Sequence, residues 1–354
     1  MNSAVDPDQA RTNPAAASTT VAPPSRSRGR AVLDRLQQFR EGGILLAVLV
    51  TGAVFTAIDP RFIAIGNLGN IASQISFEGV LAVSMTFVLI SGEIDLSIGS
   101  MVGVTGVVFG LLMTQGANPW VAVVLSLLAG CSMGALNGVL SVALRVPTII
   151  ITLGMLNAYR GFAYLISNGY PVENYPKTSA FFSIGQDRLF GVVPYTAIIL
   201  LVFALIGAVV LRQTVIGHRI YAMGSNPRAA QLSGIRTSRI RIGVLIFNGF
   251  AAAIAGLMAV SQTATADPNI GIGYELDVIA AVIIGGAKLT GGSGTVLASL
   301  LGMLLLGLIR NGLVLVGVSI YLLIVVSGLI VILAVAIDRF VTRRRQGGGG
   351  VQAA

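Results

Sequence analysis

The stretch VVPYTAIILLVFALIGAVVL, Val192–Leu211, contains twenty residues and no charged side chain. A helix needs about 20 mainly apolar residues to cross the ~30 Å hydrocarbon core of a bilayer. Lipid offers no hydrogen-bond partner to backbone N–H and C=O groups, so a segment of this kind must be helical. Val192–Leu211 therefore predicts a transmembrane helix.

Similar apolar segments recur from Ile44 to Ile337 and predict an all-α polytopic membrane protein with about ten transmembrane helices. The composition agrees, because 55% of the residues are hydrophobic, 10% are charged and the mean hydropathy is +0.86. Some segments are short and could be tilted or be half-membrane helices. The predicted segments are Ile44–Ile58, Ile71–Ile90, Ile98–Met113, Trp120–Leu144, Thr148–Ile166, Val192–Leu211, Ile242–Thr263, Leu276–Gly286, Val296–Ile309 and Ile320–Ile337.

The basic residues are distributed asymmetrically. If ten segments alternate across the bilayer, most of the 23 Lys and Arg residues fall in the tails and connections of one side, above all in Arg212–Arg241. Cytoplasmic connections carry this excess in membrane proteins, so we predict that both termini are cytoplasmic. The same rule accounts for the net charge of +9, and no nucleic-acid partner is expected.

Two polar tails flank the apolar region. Residues 1–40 are rich in Ala, Pro, Ser, Thr and Arg, a composition that cannot form a hydrophobic core, and we predict a disordered cytoplasmic tail. Residues 339–354 are basic and Gly-rich and are predicted to form a second cytoplasmic tail. The region between them, 41–338, is the predicted transmembrane domain.

The residue types exclude several kinds of chemistry. Cys131 and His218 are the only cysteine and histidine, which are too few for a Cys/His metal site. No Ser–His–Asp or Cys–His set can be assembled, and the chain has no G-x-x-x-x-G-K-[ST] loop for nucleotide phosphates. We therefore expect no catalytic site, no metal and no cofactor.

Glycines repeat at four-residue spacing inside several apolar segments, for example at Gly130, Gly134 and Gly138. In lipid, small residues at this spacing let two helices approach closely. The pattern predicts tight helix packing, and a gated conduit is the functional alternative.

The stretch Gly92–Ser100, GEIDLSIGS, places two acids between apolar segments. Asp95 or Ser97 could accept hydrogen bonds from free N–H groups of the next helix, whose start also favours acids. The alternative is a loop that lines or gates a pathway, with the candidate residues Gly92, Glu93, Asp95, Ser97 and Gly99. A weak echo of this motif, IGGAKLTGGS, occurs at Ile284–Ser293.

The connection Arg212–Arg241 carries six arginines and no acid. Asn226 followed by Pro227 is typical of a helix start, and Gly234 is typical of a helix end. We predict a short capped helix outside the membrane that a partner protein could bind. The alternative is an interfacial helix held by anionic lipid.

Polar residues inside the apolar segments form a third group of candidates. Ionisable groups in a bilayer are costly and usually mark a pathway or a paired structural lock. The candidates for a translocation path are Glu78, Asn137, Asn157 and Arg160.

From about Ile44 to Asp338 the chain resembles the membrane permease subunits of bacterial ATP-binding-cassette sugar importers of the ribose and xylose type. The motifs that carry the resemblance follow one another along the chain. They are Gly92–Ser100, Val146–Thr148, Thr152–Gly154 with Arg160–Gly161, Gly224–Ile235, Gly273–Asp277, Gly285–Gly294 and Asn311–Gly312.

The resemblance implies that residues 41–338 form a permease domain for a simple sugar, a pentose or similar, in the bacterial plasma (inner) membrane. It implies ATP-binding-cassette ATPase subunits, an extracytoplasmic sugar-binding protein and a second permease copy, identical or related, as partners. The coupling loop 212–241 would dock the ATPase through Gly224, Asn226, Arg228, Ala229, Ala230, Ser233 and Gly234. The family pattern there is Glu-Ala-Ala-x-x-x-Gly, and Arg228 stands where the acid is expected.

An ion-coupled secondary transporter of a small polar solute is the competing hypothesis. It would need no ATPase, and Glu78 and Arg160 could be its coupling groups. The capped, acid-free connection 212–241 favours the permease.

Overall fold

A computed structural model describes residues 40–319 and, beyond them, residues 321–326, 328–329, 332 and 336. The predicted N-terminal tail up to residue 39 and the predicted tail 339–354 lie outside the described residues. The last predicted segment, Ile320–Ile337, lies partly outside them. The described chain is mainly helical and contains one short two-stranded hairpin.

The first half of the described chain consists of helices that follow the predicted apolar segments. These are α1 Arg40–Ile58, α2 Ile65–Ile90, α3 Ile98–Thr114, α4 Pro119–Ala143 and α5 Thr148–Ser167. A local cap fixes the start of α4. The Asn118 side chain accepts the Trp120 N–H at 2.9 Å, and Pro119 occupies the first helical position, where no donor is needed.

The second half adds short elements between long helices. They are α6 Ala180–Gln186, β1 Arg188–Leu189, β2 Val193–Pro194, α7 Tyr195–Gln213, α8 Val215–Ser225, α9 Pro227–Leu232, α10 Thr237–Thr263, α11 Tyr274–Ile284 and α12 Val296–Leu315. β1 and β2 pair antiparallel, with Arg188 opposite Pro194. The predicted segment Val192–Leu211 therefore begins in the turn of the hairpin, and its helix starts at Tyr195.

Among the described helices, six are long and apolar enough to cross a bilayer: α2, α4, α5, α7, α10 and α12. The apolar part of α1, Gly42–Ile58, and the helix α3 are shorter. α11 has 11 residues and reaches about halfway across the hydrocarbon core. The all-α membrane fold predicted from the sequence is confirmed.

α2 occupies the centre of the bundle. Of its membrane-length portion, 94% is buried within the chain, whereas the corresponding figure for α5 is 17%. Leu81, Met85 and Leu89 of α2 are fully enclosed by side chains of the surrounding helices. α5 therefore lies at the periphery of the single chain.

α4 and α10 pack backbone to backbone. A side chain at Gly130 would collide with the carbonyl group of Gly249, and one at Gly134 with the carbonyl group of Leu245. Gly138 approaches Ile242 in the same way. The tight packing predicted from the four-residue glycine spacing is confirmed.

α3 begins inside the bundle after a mostly buried non-helical segment, and α11 follows a second non-helical segment that is partly exposed. The two segments are residues 91–97 and 264–273. The two helix starts meet, because a side chain at Gly99 would collide with the carbonyl oxygen of Gly271. Non-helical backbone at membrane depth is tolerated where protein or a water-filled cavity surrounds it, and transporter sites are often built on such broken helices.

Candidate functional site

A cavity of about 890 Å³ opens at one end of the bundle. Its walls are the segment 91–97, the turn between α4 and α5, the α8–α9 junction and the start of α10. It therefore brings the Gly92–Ser100 motif and the predicted coupling segment to one place. The lining includes Ser91, Gly92, Glu93, Ile94, Arg145, Val146, Pro147, Thr148, Met223, Gly224, Ser225, Pro227, Gln231, Thr237, Ser238, Arg241 and Thr290.

Glu93 connects three of these walls. Its carboxylate pairs with Arg241 at the start of α10, with Nε and Oε1 2.6 Å apart, and it accepts a hydrogen bond from Thr148 at the start of α5. The Glu93 side chain is buried, so this charge is held by its partners and not by solvent. The pair anchors the segment 91–97 to α10 and α5.

Asp95 lies deeper and has neutral partners. Its Oδ1 accepts the Ser97 N–H at 2.8 Å and the Ser97 hydroxyl at 2.7 Å, and its Oδ2 accepts the Asn248 side-chain amide at 3.0 Å. The Asn137 amide donates to the Ser97 oxygen at 2.8 Å, and the Tyr159 hydroxyl donates to Asn137 at 3.0 Å. This buried polar network joins the segment 91–97 to α4, α5 and α10.

The predicted helix start at the motif is confirmed in position, since α3 begins at Ile98. The predicted capping differs in detail. Ser97 is the N-cap residue, yet its side chain makes no capping hydrogen bond. Asp95 accepts the N–H of Ser97, one residue before the helix, because its carboxylate is turned towards Asn248 in the network.

Glycines join the motif, its echo and the coupling segment. A side chain at Gly224, near the end of α8, would collide with the carbonyl oxygen of Ile90 and with the backbone of Gly292. The Gly292 N–H donates to the Ile90 carbonyl at 2.9 Å, and Gly92 and Gly291 both have positive φ. The two echoed segments therefore meet across the end of α8.

The short helix predicted inside the coupling segment is present as α9, Pro227–Leu232. The Asn226 side chain accepts the Ala229 N–H at 3.0 Å, and Gly234 follows the helix with φ of +83°. Both caps are therefore as predicted. Ala230 is buried on the inner face of α9, whereas Arg228 and Ser233 are exposed.

α8 was not predicted from the sequence, and together with α9 and the ends of α7 and α10 it makes most of the predicted loop 212–241 helical. The available signal was Thr214, whose side chain accepts the Gly217 N–H at 3.2 Å as an N-cap. Tyr221 of α8 donates to the Gly294 carbonyl at 2.7 Å, and burial raises the pKa of this phenol. Leu232, which is 85% exposed at the end of α9, was not among the predicted site residues.

Glu78 belongs to a buried ionic cluster in another part of the bundle. Nη1 of Arg310 on α12 lies 2.9 Å from Oε1 of Glu78, and Arg310 also pairs with Asp277 on α11. Glu78 is 5% exposed. The geometry is that of a paired lock between α2, α11 and α12, one of the two roles that the sequence left open.

Arg160 and Asn157 lie on α5. Arg160 donates to the carbonyl oxygens of Ile270 at 3.0 Å, Gly99 at 3.1 Å and Pro268, so it bridges the starts of α3 and α11. Asn157 is exposed on the surface of the single chain. None of the four candidate path residues lines the cavity of about 890 Å³.

The profile of the family described as branched-chain amino acid transport system / permease component matches residues 67–335. The chain belongs to this family. Its members are membrane subunits without a catalytic site, and ATP hydrolysis takes place in a separate subunit of an ABC transporter. The family also implies a substrate-binding protein as partner.

The names of relatives of this permease specify ribose, L-arabinose and autoinducer 2. The ribose import permease protein RbsC of Escherichia coli K12 is 39% identical over 296 residues, 83% of this chain and 92% of that protein. The L-arabinose ABC transporter permease protein AraH of Azospirillum brasilense is 33% identical over 98% of both chains. The autoinducer 2 import system permease protein LsrC of Yersinia enterocolitica is 35% identical over 79% of this chain and 77% of that protein.

A solved structure has a similar fold. It is a metal-chelate type ABC transporter in an inward-facing conformation, with a TM-score of 0.51 and 12% identity. The match covers 84% of this permease and 97% of that chain. At this identity the likeness concerns the fold alone.

Proposed function

We propose that this permease imports a simple sugar, a pentose or similar, across the plasma (inner) membrane of a bacterium. The names of its relatives, which specify ribose, L-arabinose and autoinducer 2, support this substrate class. Coupling to an ATPase is supported by the cavity of about 890 Å³, in which residues of the Gly92–Ser100 motif lie near the start of α9.

We infer that α8 and α9 form the element that docks an ATPase subunit. Gly224 lets α8 lie against the end of α2. Asn226 and Gly234 cap α9, and the buried side chain of Ala230 packs α9 against the rest of the chain. A short helix that is capped at both ends is stiff, so it can transmit a movement of the ATPase to the walls of the cavity. Arg228, Ala229, Leu232 and Ser233 are the exposed residues that would contact the ATPase.

The proposed topology has ten spans, with both termini in the cytoplasm. The arginines of 212–241 support a cytoplasmic location for α8 and α9. The β1–β2 hairpin lies at the other end of α7, and its turn residue Phe190 is 92% exposed. We propose that this outer end receives sugar from the extracytoplasmic binding protein.

A second permease copy is proposed to pack against α5. Asn157, at the middle of α5, is exposed, and a polar side chain facing hydrocarbon is unfavourable. Gly154 and Ala158 are also exposed and are four residues apart, a spacing that lets a second helix approach. The translocation path would run between the copies, with Asn157 and Arg160 beside it and with Glu78 and Asn137 supporting its walls.

Uptake by proteoliposomes tests the proposed function. The permease is reconstituted with its ATPase and its binding protein, and entry of radiolabelled ribose and arabinose is followed. The control contains an ATPase variant that binds but does not hydrolyse ATP. Entry that requires hydrolysis and the binding protein is expected, whereas entry driven by a proton gradient without the ATPase would support the secondary transporter.

A further inference from the structure

An apolar groove with a basic rim crosses the surface formed by α2, α7, α8 and α10. Its volume is about 430 Å³, within the ~300–1,000 Å³ range of small-molecule sites. The floor is made of aliphatic and aromatic side chains, among them Phe87, Val210, Val244 and Phe247, and of the backbone at Gly207. Because α2, α7 and α10 are candidate spans, this floor lies between helices that cross the membrane.

Two arginines mark the end of the groove that lies nearest to α9. Arg219 of α8 and Arg239 of α10 both line it and are exposed. They also line an adjoining recess of about 260 Å³, to which Arg236 contributes a third guanidinium group. We call the groove and this recess together the arginine-rimmed groove.

The rim lacks the counter-charges that usually accompany arginines. Neither Arg219, Arg236 nor Arg239 forms an ion pair with an acid in the described part of the chain. The whole connection 212–241 contains no Asp or Glu. Three cations within one recess repel one another, and an anion placed between them would relieve this repulsion.

We propose that the arginine-rimmed groove binds an acidic phospholipid, with its phosphate at Arg219 and Arg239 and an acyl chain along Phe87, Val210 and Phe247. The arrangement matches both halves of that molecule, since the floor is apolar at membrane depth and the rim is cationic at the end of the spans. Basic pockets between transmembrane helices bind anionic headgroups in this manner.

The position of the recess next to α9 indicates a structural role for the lipid. The recess also includes Gly234 and Ile235, which directly follow α9. A bound headgroup therefore contacts the end of the proposed coupling helix and holds α8 and α10 together beneath it. The assignment to the cytoplasmic leaflet rests on the topology proposed above, but the binding itself does not depend on the transported substrate.

Native mass spectrometry of the full-length permease, released from nanodiscs of equal phosphatidylglycerol and phosphatidylcholine, tests the proposal. Arg219→Gln and Arg239→Gln should each lower retained phosphatidylglycerol about five-fold. Arg212→Gln is the matched control, because Arg212 is an exposed arginine on the last turn of α7 that does not line the groove. This control should retain the lipid.

A second pair of variants tests the acyl chain site. Gly243 lines the groove with open space above it, so Gly243→Leu should fill the floor without a collision and displace the lipid. Gly52→Leu on α1 also points into open space and should change nothing. Equal retention in Gly243→Leu and Gly52→Leu, or equal loss in Arg239→Gln and Arg212→Gln, would overturn the proposal. Loss of the second copy or of the ATPase from Gly243→Leu with lipid retained would identify the groove as a protein interface instead.

Discussion

Three buried acids are accommodated by three different sets of partners. Glu93 has a guanidinium group and a hydroxyl, Asp95 has only neutral donors, and Glu78 shares Arg310 with Asp277. A buried charge that loses its partner is strongly destabilising, because neither water nor lipid replaces the lost interaction. The stability lost on mutation at each of these sites should therefore depend on which partners of the buried acid remain.

Arg310→Met should destabilise the permease more than Glu78→Gln. The first variant leaves the buried Glu78 and the partly buried Asp277 close together without a cation, at a cost of about 3–5 kcal/mol. The second leaves Asp277 paired with Arg310. Thermal unfolding of the two purified full-length variants in detergent provides the measurement, and equal melting temperatures would contradict the lock.

Asp95→Asn should cost about 1–3 kcal/mol, because it can place an amide against the amide of Asn248. The exchanged pair Asp95→Asn with Asn248→Asp restores a donor opposite an acceptor and should recover most of the loss. Unfolding midpoints of the wild type, both single variants and the double variant form the cycle. If the double variant loses the sum of the single losses, the pair does not interact as described.

At the scale of elements, caps and glycines decide where the short helices lie. α9 has only six residues and could not persist by itself, because helix nucleation is unfavourable. Asn226 caps its first turn, Gly234 follows its last turn, and its residue Ala230 is buried. The element therefore presents Leu232 in a defined position.

Leu232→Ser should weaken association with the ATPase and leave the fold intact, since the side chain is 85% exposed. We expect at least a ten-fold fall in ATPase recovered with the affinity-purified permease. Phe190→Ser is the control, since it removes an exposed large apolar side chain at the opposite end of α7. If both variants retain the ATPase equally, α9 is not the docking element.

At the scale of the whole molecule, the chain buries its helices unevenly. α2 is enclosed, whereas α5 has 17% of its span buried and carries the exposed Asn157. A polar residue is unfavourable against lipid, so an unfilled surface of this kind calls for a protein partner. Arg160 of α5 donates to the carbonyl groups of Gly99, at the start of α3, and of Ile270, shortly before α11, so these backbone positions lie beside this surface.

Cysteine cross-linking tests the second copy at α5. In a Cys131→Ser background, Ala158→Cys should give a covalent dimer on oxidation in native membranes. Leu201→Cys on α7 is the matched control, because Leu201 is exposed on a span outside the proposed interface, and it should remain monomeric. Cross-linking of Leu201→Cys with Ala158→Cys unlinked would place the interface elsewhere.

The sequence by itself determined where the long apolar helices lie and where α9 begins and ends. Apolar runs of bilayer length leave the backbone one satisfactory conformation, and Asn226, Pro227 and Gly234 act on the residues next to them. These are local effects, so they can be read from neighbouring residues. α8 was missed because its apolar content is modest and its single cap, Thr214, is a weak signal.

The tertiary structure alone decided which distant residues are partners. Glu78 with Arg310, Asp95 with Asn248, and Gly224 with Ile90 lie far apart in sequence, and no periodicity relates them. Their pairing follows from how helices of similar hydropathy pack, which depends on side-chain shape and on the need to satisfy every buried polar group. For this reason the sequence alone left two roles for Glu78, in a pathway or in a paired lock, and its ion pair with Arg310 has the geometry of a lock.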